Sequence, residues 1–187
     1  MLHFYAMNTT NLFLFEVNAS WTLFLDRDGV INQRIVDGYV RNKEEFIFID
    51  HVKEAIEICK KRFGKIIVVT NQQGIGKGLM NEEDLQQVHD FMCNGLDNAI
   101  DKVYYSPFMA SENHPSRKPN GGMALRAKCD FPDIDFKKSI MVGDSYTDIL
   151  FGQKLGMKTV YISETPHENI VADMYCASLY AFALTLK

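Results

Sequence analysis

Asp26 and Asp28 stand two positions apart, directly after the apolar run Trp21-Thr22-Leu23-Phe24-Leu25. On extended chain two such carboxylates point the same way, because side chains alternate faces with a period of two. One can attack as a nucleophile while the other carries a proton, provided a cation holds their charges. Three further polar groups follow the same plan. Thr70-Asn71-Gln72-Gln73-Gly74-Ile75-Gly76-Lys77-Gly78 ends a second apolar run, Arg117-Lys118-Pro119 precedes a helical pattern, and Gly143-Asp144-Ser145 ends a later run with Asp148 one turn beyond it. Unit charges about 4 Å apart repel by roughly 4 kcal/mol at an effective dielectric near 20. Carboxylates gathered at one edge therefore need a cation to hold their charges, and oxygen ligands of this kind suit Mg²⁺.

The elements that must gather these groups are legible as an alternation. Apolar runs at 21–25, 65–69, 102–105, 139–142 and 158–162 read as buried strands. Helical patterns lie between them, at 51–63, 81–99, 122–128 and 146–155. The second carries an Asn81 cap, an acidic first turn and a stripe of Leu85, Val88, Met92, Leu96 and Ala99, and Gly156 fits the stop of the last. Alternation of this type predicts parallel strands with right-handed crossovers, hence an α/β, doubly wound, mostly parallel sheet. In such a sheet ligands bind at the carboxyl ends of the strands. A short strand at 174–176 and a helix from about Ser178 close the chain. Residues 21–187 form one expected domain, and residues 1–20 an extension or an extra edge strand.

Bulk properties narrow the partners. The 187 residues are 47% hydrophobic and 24% charged, with a net charge of -4. A long polyanion is a poor match to that balance, so nucleic acid is not expected, whereas a small anionic substrate is compatible with it, since a local cation overrides a weakly acidic surface. Cys59, Cys93, Cys129 and Cys176 are far apart and read as core fillers in a reducing compartment. No run reaches membrane-spanning length, and the short apolar stretch 12–15 lacks a basic flank and is broken by Glu16. A cytoplasmic protein, monomeric or a small homo-oligomer, is the expectation.

In order and position the four polar groups resemble the signature motifs of the haloacid dehalogenase superfamily of aspartate-nucleophile phosphatases. The spellings at 26–32, 70–78 and 117–123 are similar to the branch that contains heptose 1,7-bisphosphate and histidinol-phosphate phosphatases. The resemblance implies a Rossmann-like core and a Mg²⁺-dependent phosphoric monoester hydrolase. Asp26 would be the nucleophile and Asp28, protonated first, the acid and then the base; Thr70 and Lys118 would complete the catalytic set. Metal ligation would come from the Asp26 carboxylate, the Asp28 backbone carbonyl and Asp144, with Asp148 in or near the second shell. Asn71, Gln72, Arg117, Asn32 and Arg34 are the candidate substrate contacts.

The same resemblance frames what is missing. The named branch commonly carries a zinc loop of Cys and His before its Arg-Lys-Pro. Here Ser106 to Ser116 offers one histidine, His114, and no cysteine. Zinc needs three or four ligands, so none is expected. The intervals 30–49 and 106–116 are too short to build a cap domain, which predicts an open site behind a hairpin-like flap around Asp37-Gly38-Tyr39. A sugar bisphosphate such as D-glycero-D-manno-heptose 1,7-bisphosphate fits the spelling best. Histidinol phosphate and a polynucleotide 3′-phosphate are the alternatives within phosphatase chemistry, and a receiver-like phospho-acceptor switch is the alternative outside it. Taken singly, each motif is also an ordinary turn, cap or loop; the glycine run at 74–78 matches neither a phosphate loop nor a dinucleotide fingerprint. The inference rests on four groups in one order.

Overall fold

The computed structural model describes residues 9–165 and 169–187. Six strands, Thr22–Leu25 (β1), Lys65–Asn71 (β2), Lys102–Ser106 (β3), Ser139–Gly143 (β4), Lys158–Ile162 (β5) and Met174–Cys176 (β6), form one sheet in the order β3-β2-β1-β4-β5-β6. All neighbouring pairs are parallel. The chain winds outward to β3 and then returns past β1 to β4, so the topological switch lies at the carboxyl end of β1, where a doubly wound sheet opens a crevice.

Period-two alternation divides the core in two. Leu23, Leu25, Ile66, Val68, Ile140 and Val142 pack with residues of the helices Val52–Arg62 (α1), Glu82–Gly95 (α3) and Leu179–Leu184 (α6). Phe24, Ile67, Val69 and Met141 face the opposite way, onto Met123, Ala124 and Ala127 of Gly122–Asp130 (α4) and Phe151 of Tyr146–Leu155 (α5). Both faces are covered, which is why the strands read as continuous apolar runs.

Local chemistry sets several boundaries. Asn81 accepts from the Asp84 N–H while Asp84 returns a bond to the Asn81 N–H, a capping box that starts α3. Gly156 ends α5 in the left-handed conformation at φ 76°. The helix expected to run to Ala99 instead stops at Gly95, because Asp97 and Asn98 take left-handed backbone and turn the chain. Within the glycine-bearing loop, Gln73–Gly76 closes into a short helix (α2) that the sequence pattern did not show.

At the amino-terminal segment, of the two alternatives the strand is not formed among the described residues. Thr9–Glu16 is a 3-10 helix rather than an edge strand, and its Phe13 and Leu14, with Val17 just after it, are buried against the main core. Residues 1–8 of that extension lie outside the described residues. Cys59 and Cys176 are buried as expected, but Cys129 is exposed and Cys93 only partly covered. No helix of the described residues is long and apolar enough to cross a membrane. Neither 30–49 nor 106–116 builds a separate cap. The first is a flap closed by an antiparallel bridge between Asn32 and Phe48 and anchored in the core by Val30, Ile31, Val40 and Phe46.

Candidate active site

Asp26 leaves β1 still in the ladder, its N–H donating to the Val142 carbonyl at 2.9 Å. That bond delivers its carboxylate to the switch point. Lys118 reaches the same spot from the other side of the sheet: Nζ lies 2.7 Å from Asp26 Oδ1, 2.6 Å from Asp148 Oδ1, and donates to the Val69 carbonyl at 2.7 Å. The ammonium is almost fully buried with all three donors engaged. Burial alone would lower its pKa, yet Asp148 and Asp26 raise it, so Lys118 stays charged.

Asp148 is held from behind. Its Oδ2 accepts from Ser145 Oγ at 2.6 Å and from the Ser145 N–H at 3.1 Å, a capping box that starts α5. Gly143 makes the approach feasible, since a Cβ there would fall on the Asp148 side chain. Asp144 completes the acidic group: Asp26, Asp144 and Asp148 bring carboxylate oxygens within 4.8 Å of one another. Gly29, at φ 87°, lies so close to Asp144 that any side chain there would overlap the carboxylate.

Asp28 sits in a shell of donors. Gln72 Nε2 donates to Oδ2 at 2.9 Å, while Asn32 Nδ2 at 2.9 Å and Arg27 Nη2 at 3.0 Å donate to Oδ1. Burial opposes ionisation, but Arg27 and the hydrogen bonds from Asn32 and Gln72 hold the carboxyl below its ordinary value. These donors favour the carboxylate form of Asp28, whereas the resemblance implies an Asp28 that is protonated as the reaction begins. Gln72 also donates to Thr70 Oγ1 at 2.8 Å, which links Asp28 to the end of β2.

Three of the expected substrate contacts turn out to be occupied elsewhere. Asn71 exchanges two bonds with the Lys118 backbone, accepting from its N–H at 3.0 Å and donating to its carbonyl at 3.2 Å. Asn32 is fully buried against Asp28 and the Gln33 carbonyl. Gln72 is buried in the Asp28 network. Asn71 and Gln72 nevertheless line the pocket, whereas Asn32 is not among its lining residues. Arg34, which pairs with Asp144 at 3.1 Å, and Arg117 also line the open pocket, beside Asp26, Asp28, Thr70, Tyr39 and Gln73. Tyr39 at the flap tip accepts from Gln73 at 2.8 Å and from Lys77 at 2.9 Å, which fixes the flap over α2.

Residues 23–181 match the family described as Polynucleotide kinase 3 phosphatase. The chain belongs to this family. Two relatives are D-glycero-D-manno-heptose-1,7-bisphosphate 7-phosphatase of Chlorobaculum tepidum, 34% identical over 85% of this chain and 86% of the relative, and the D-glycero-alpha-D-manno-heptose-1,7-bisphosphate 7-phosphatase of Burkholderia mallei, 41% identical over 75% and 78%. The fold is similar to the crystal structure of D,D-heptose 1.7-bisphosphate phosphatase from B. bronchiseptica complexed with magnesium and phosphate, with TM-score 0.76, 26% identity, and coverage of 89% of this chain and 97% of that one. These findings agree with the haloacid dehalogenase resemblance and with phosphatase chemistry.

In this member of the phosphatase family the acidic group fits a hard cation. Burial, then the Asp148 charge, push Asp26 up to about 7 despite Lys118, and burial pushes Asp144 up to about 6 against the pull of Arg34. Asp144 Oδ1 is buried with no hydrogen-bond partner among the described residues. Asp148 is already committed to Lys118 and Ser145, and Asp144 Oδ2 pairs with Arg34 Nη1 at 3.1 Å, which leaves Asp144 Oδ1 beside the Asp26 carboxylate. An orphaned buried carboxylate oxygen beside a second carboxylate is the donor chemistry of a Mg²⁺ site.

Two residues of the site were missed by sequence reasoning. Arg27 is fully buried, with Nη1 3.3 Å from His89 Nε2 and Nη2 3.2 Å from Gln72 Oε1. An arginine between two chemically interesting aspartates was a signal, because its side chain must leave by the opposite face. His89 follows Leu85 by four positions and precedes Met92 by three, so its place on the buried stripe of α3 was readable.

Proposed function

We propose that this chain is a Mg²⁺-dependent phosphomonoesterase that acts on a small sugar bisphosphate, most specifically D-glycero-D-manno-heptose 1,7-bisphosphate, through an aspartyl-phosphate on Asp26. The observation that supports it best is Asp26 Oδ1 held 2.7 Å from the Lys118 ammonium within an acidic cluster at the open end of β1. The substrate class is supported by relatives that are named for it.

In this reading an Asp26 oxygen attacks phosphorus and the bond from phosphorus to the sugar oxygen breaks. Asp28 takes up a proton from solvent as the phosphate dianion arrives and raises its proton affinity, and it passes that proton to the leaving oxygen. Water then attacks the aspartyl-phosphate, giving its proton back to Asp28 and releasing inorganic phosphate. Lys118 offsets charge at Asp26 and on the phosphoryl oxygens, and the Thr70 hydroxyl donates to the latter. Asp26, Asp144 and the Asp28 carbonyl would hold the Mg²⁺, which supplies further charge neutralisation when bound. Arg117 and Arg34 at the pocket rim suit the phosphate that does not react.

A second reading, hydrolysis of a polynucleotide 3′-phosphate, has the family description in its favour. The net charge of -4 and the absence of a basic stripe in the sequence weigh against it. Phosphate release with Mg²⁺ separates the two. Heptose 1,7-bisphosphate should give the highest kcat/KM, ahead of histidinol phosphate and 3′-phosphorylated oligonucleotides, and a preference for the oligonucleotide reverses the assignment.

A further inference from the structure

The loop before Lys118 is organised by four side chains that interlock. Ser106 Oγ lies 3.1 Å from Ser116 Oγ, and Ser116 Oγ lies 2.8 Å from His114 Nδ1. The Ser116 backbone N–H also points at Nδ1, 3.2 Å away. A backbone N–H only donates, so Nδ1 is an acceptor and His114 is the neutral tautomer with its proton on Nε2. The hydroxyls then order themselves, Ser106 donating to Ser116 and Ser116 to His114. On its flat side the His114 ring stacks on Phe108, centroids 3.5 Å apart and planes 16° from parallel.

Both ends of this arrangement are attached to the candidate active site. Ser106 is the last residue of β3 and its carbonyl accepts from the Gln72 N–H at 2.7 Å. The Phe108 carbonyl accepts from Arg117 Nη1 at 2.8 Å, and the Arg117 N–H donates to the His114 carbonyl at 2.9 Å. Arg117 therefore has its backbone and one edge of its guanidinium fixed, while that side chain still lines the pocket.

We propose that Ser106, Phe108, His114 and Ser116 form a metal-free clamp that sets the Arg117 guanidinium for the non-reacting phosphate of a bisphosphate substrate. Two serines and a phenylalanine offer no zinc-binding chemistry, and the inward nitrogen of His114 is taken by Ser116. Glu112, the other ligand type in this loop, accepts from the Met109 N–H at 2.6 Å. The loop thus reaches a fixed geometry through a hydrogen-bond relay and a ring stack. His114 acts as a positioning residue, through Arg117. The substrate part of this proposal rests on the reading given under Proposed function.

The test uses the whole protein with Mg²⁺ and three variants. His114→Ala removes both relay and stack, His114→Phe keeps the stack, and His114→Asn offers an oxygen near the former Nδ1. In His114→Ala, KM for heptose 1,7-bisphosphate should rise about tenfold while kcat changes less than about twofold. The kcat/KM ratio between that substrate and p-nitrophenyl phosphate, which has no second phosphate, should fall in step. Amide hydrogen exchange across 107–117 should quicken in His114→Ala, and His114→Asn should recover more of both effects than His114→Phe. Unchanged exchange, or quicker exchange with an unchanged substrate ratio, overturns the clamp. So does stoichiometric zinc in the purified wild type. A wild type that hydrolyses p-nitrophenyl phosphate but ignores the bisphosphate overturns the substrate reading alone, and the exchange result then decides the clamp.

Discussion

Arg27 Nη1 and His89 Nε2 meet 3.3 Å apart inside the protein, and through Arg27 this contact reaches Asp28. The guanidinium only donates, so His89 accepts at Nε2 and carries its proton on Nδ1. A neutral imidazole thereby holds one edge of a buried arginine whose other edge holds the proposed acid-base carboxylate.

Removing that acceptor should cost stability. His89→Ala leaves a buried N–H of Arg27 unpaired and should lower the unfolding free energy by about 1–3 kcal/mol. His89→Gln returns an acceptor on a side chain of similar reach and should recover most of it. Urea denaturation of the three proteins at neutral pH measures both effects.

The same histidine predicts a pH dependence. Burial, then the nearby Arg27 charge, depress the His89 pKa from 6.5 to about 3. Between those values the unfolded chain binds a proton that the folded protein refuses, so folding stability falls as pH drops from 6.5 toward 3. The slope contributed by this group is at most about 1.4 kcal/mol per pH unit. His89→Gln should flatten the profile across that window relative to wild type, and parallel profiles would remove His89 as the cause.

Charge balance around Asp26 gives a paired expectation. Asp26→Asn should abolish phosphate release yet leave the fold intact, because Lys118 keeps Asp148 and the Val69 carbonyl as partners. Lys118→Met is the harsher change. It leaves two buried carboxyls facing each other, and should lower kcat by about a hundredfold or more while also reducing stability. Steady-state kinetics together with near-ultraviolet circular dichroism distinguish the two patterns.

Gly29 offers a way to perturb the cation site without replacing a ligand. Gly29→Ala forces a methyl group into the Asp144 carboxylate and strains a backbone at φ 87°. Mg²⁺ affinity, read by calorimetry, should weaken about tenfold or more. Phosphate release by the wild type should stop in EDTA and return with Mg²⁺; activity that persists in EDTA would exclude the cation from the mechanism.

Asp26, Asp28, Lys118 and Asp144 were legible because each follows or precedes an element whose period is plain, and a doubly wound sheet leaves one edge for them to share. Asn32, Asn71 and Gln72 were legible as polar residues near that edge, but the bonds they make within the protein were not. Nothing in their type separates an amide that meets a ligand from one that braces a backbone; burial and direction decide it, and those belong to the packed state. The end of α3 was misjudged for a related reason. Leu96 and Ala99 continue the apolar stripe, yet the left-handed turn through Asp97 and Asn98 redirects the chain into β3 before the stripe is finished.

Sequence by itself determined the strand-helix alternation, the chemical types of the four polar groups, and the lack of cysteine ligands in the loop before Arg117. Each of these is a local property of periodicity or composition. Only the tertiary structure decided that Asp28 sits among donors that favour its carboxylate form, that Arg27 and His89 stand behind it, and that Ser106, Phe108, His114 and Ser116 close on one another. Those outcomes depend on which side chains are brought within bonding distance across tens of residues, and on how much water their burial removes, and neither quantity exists until the chain has folded.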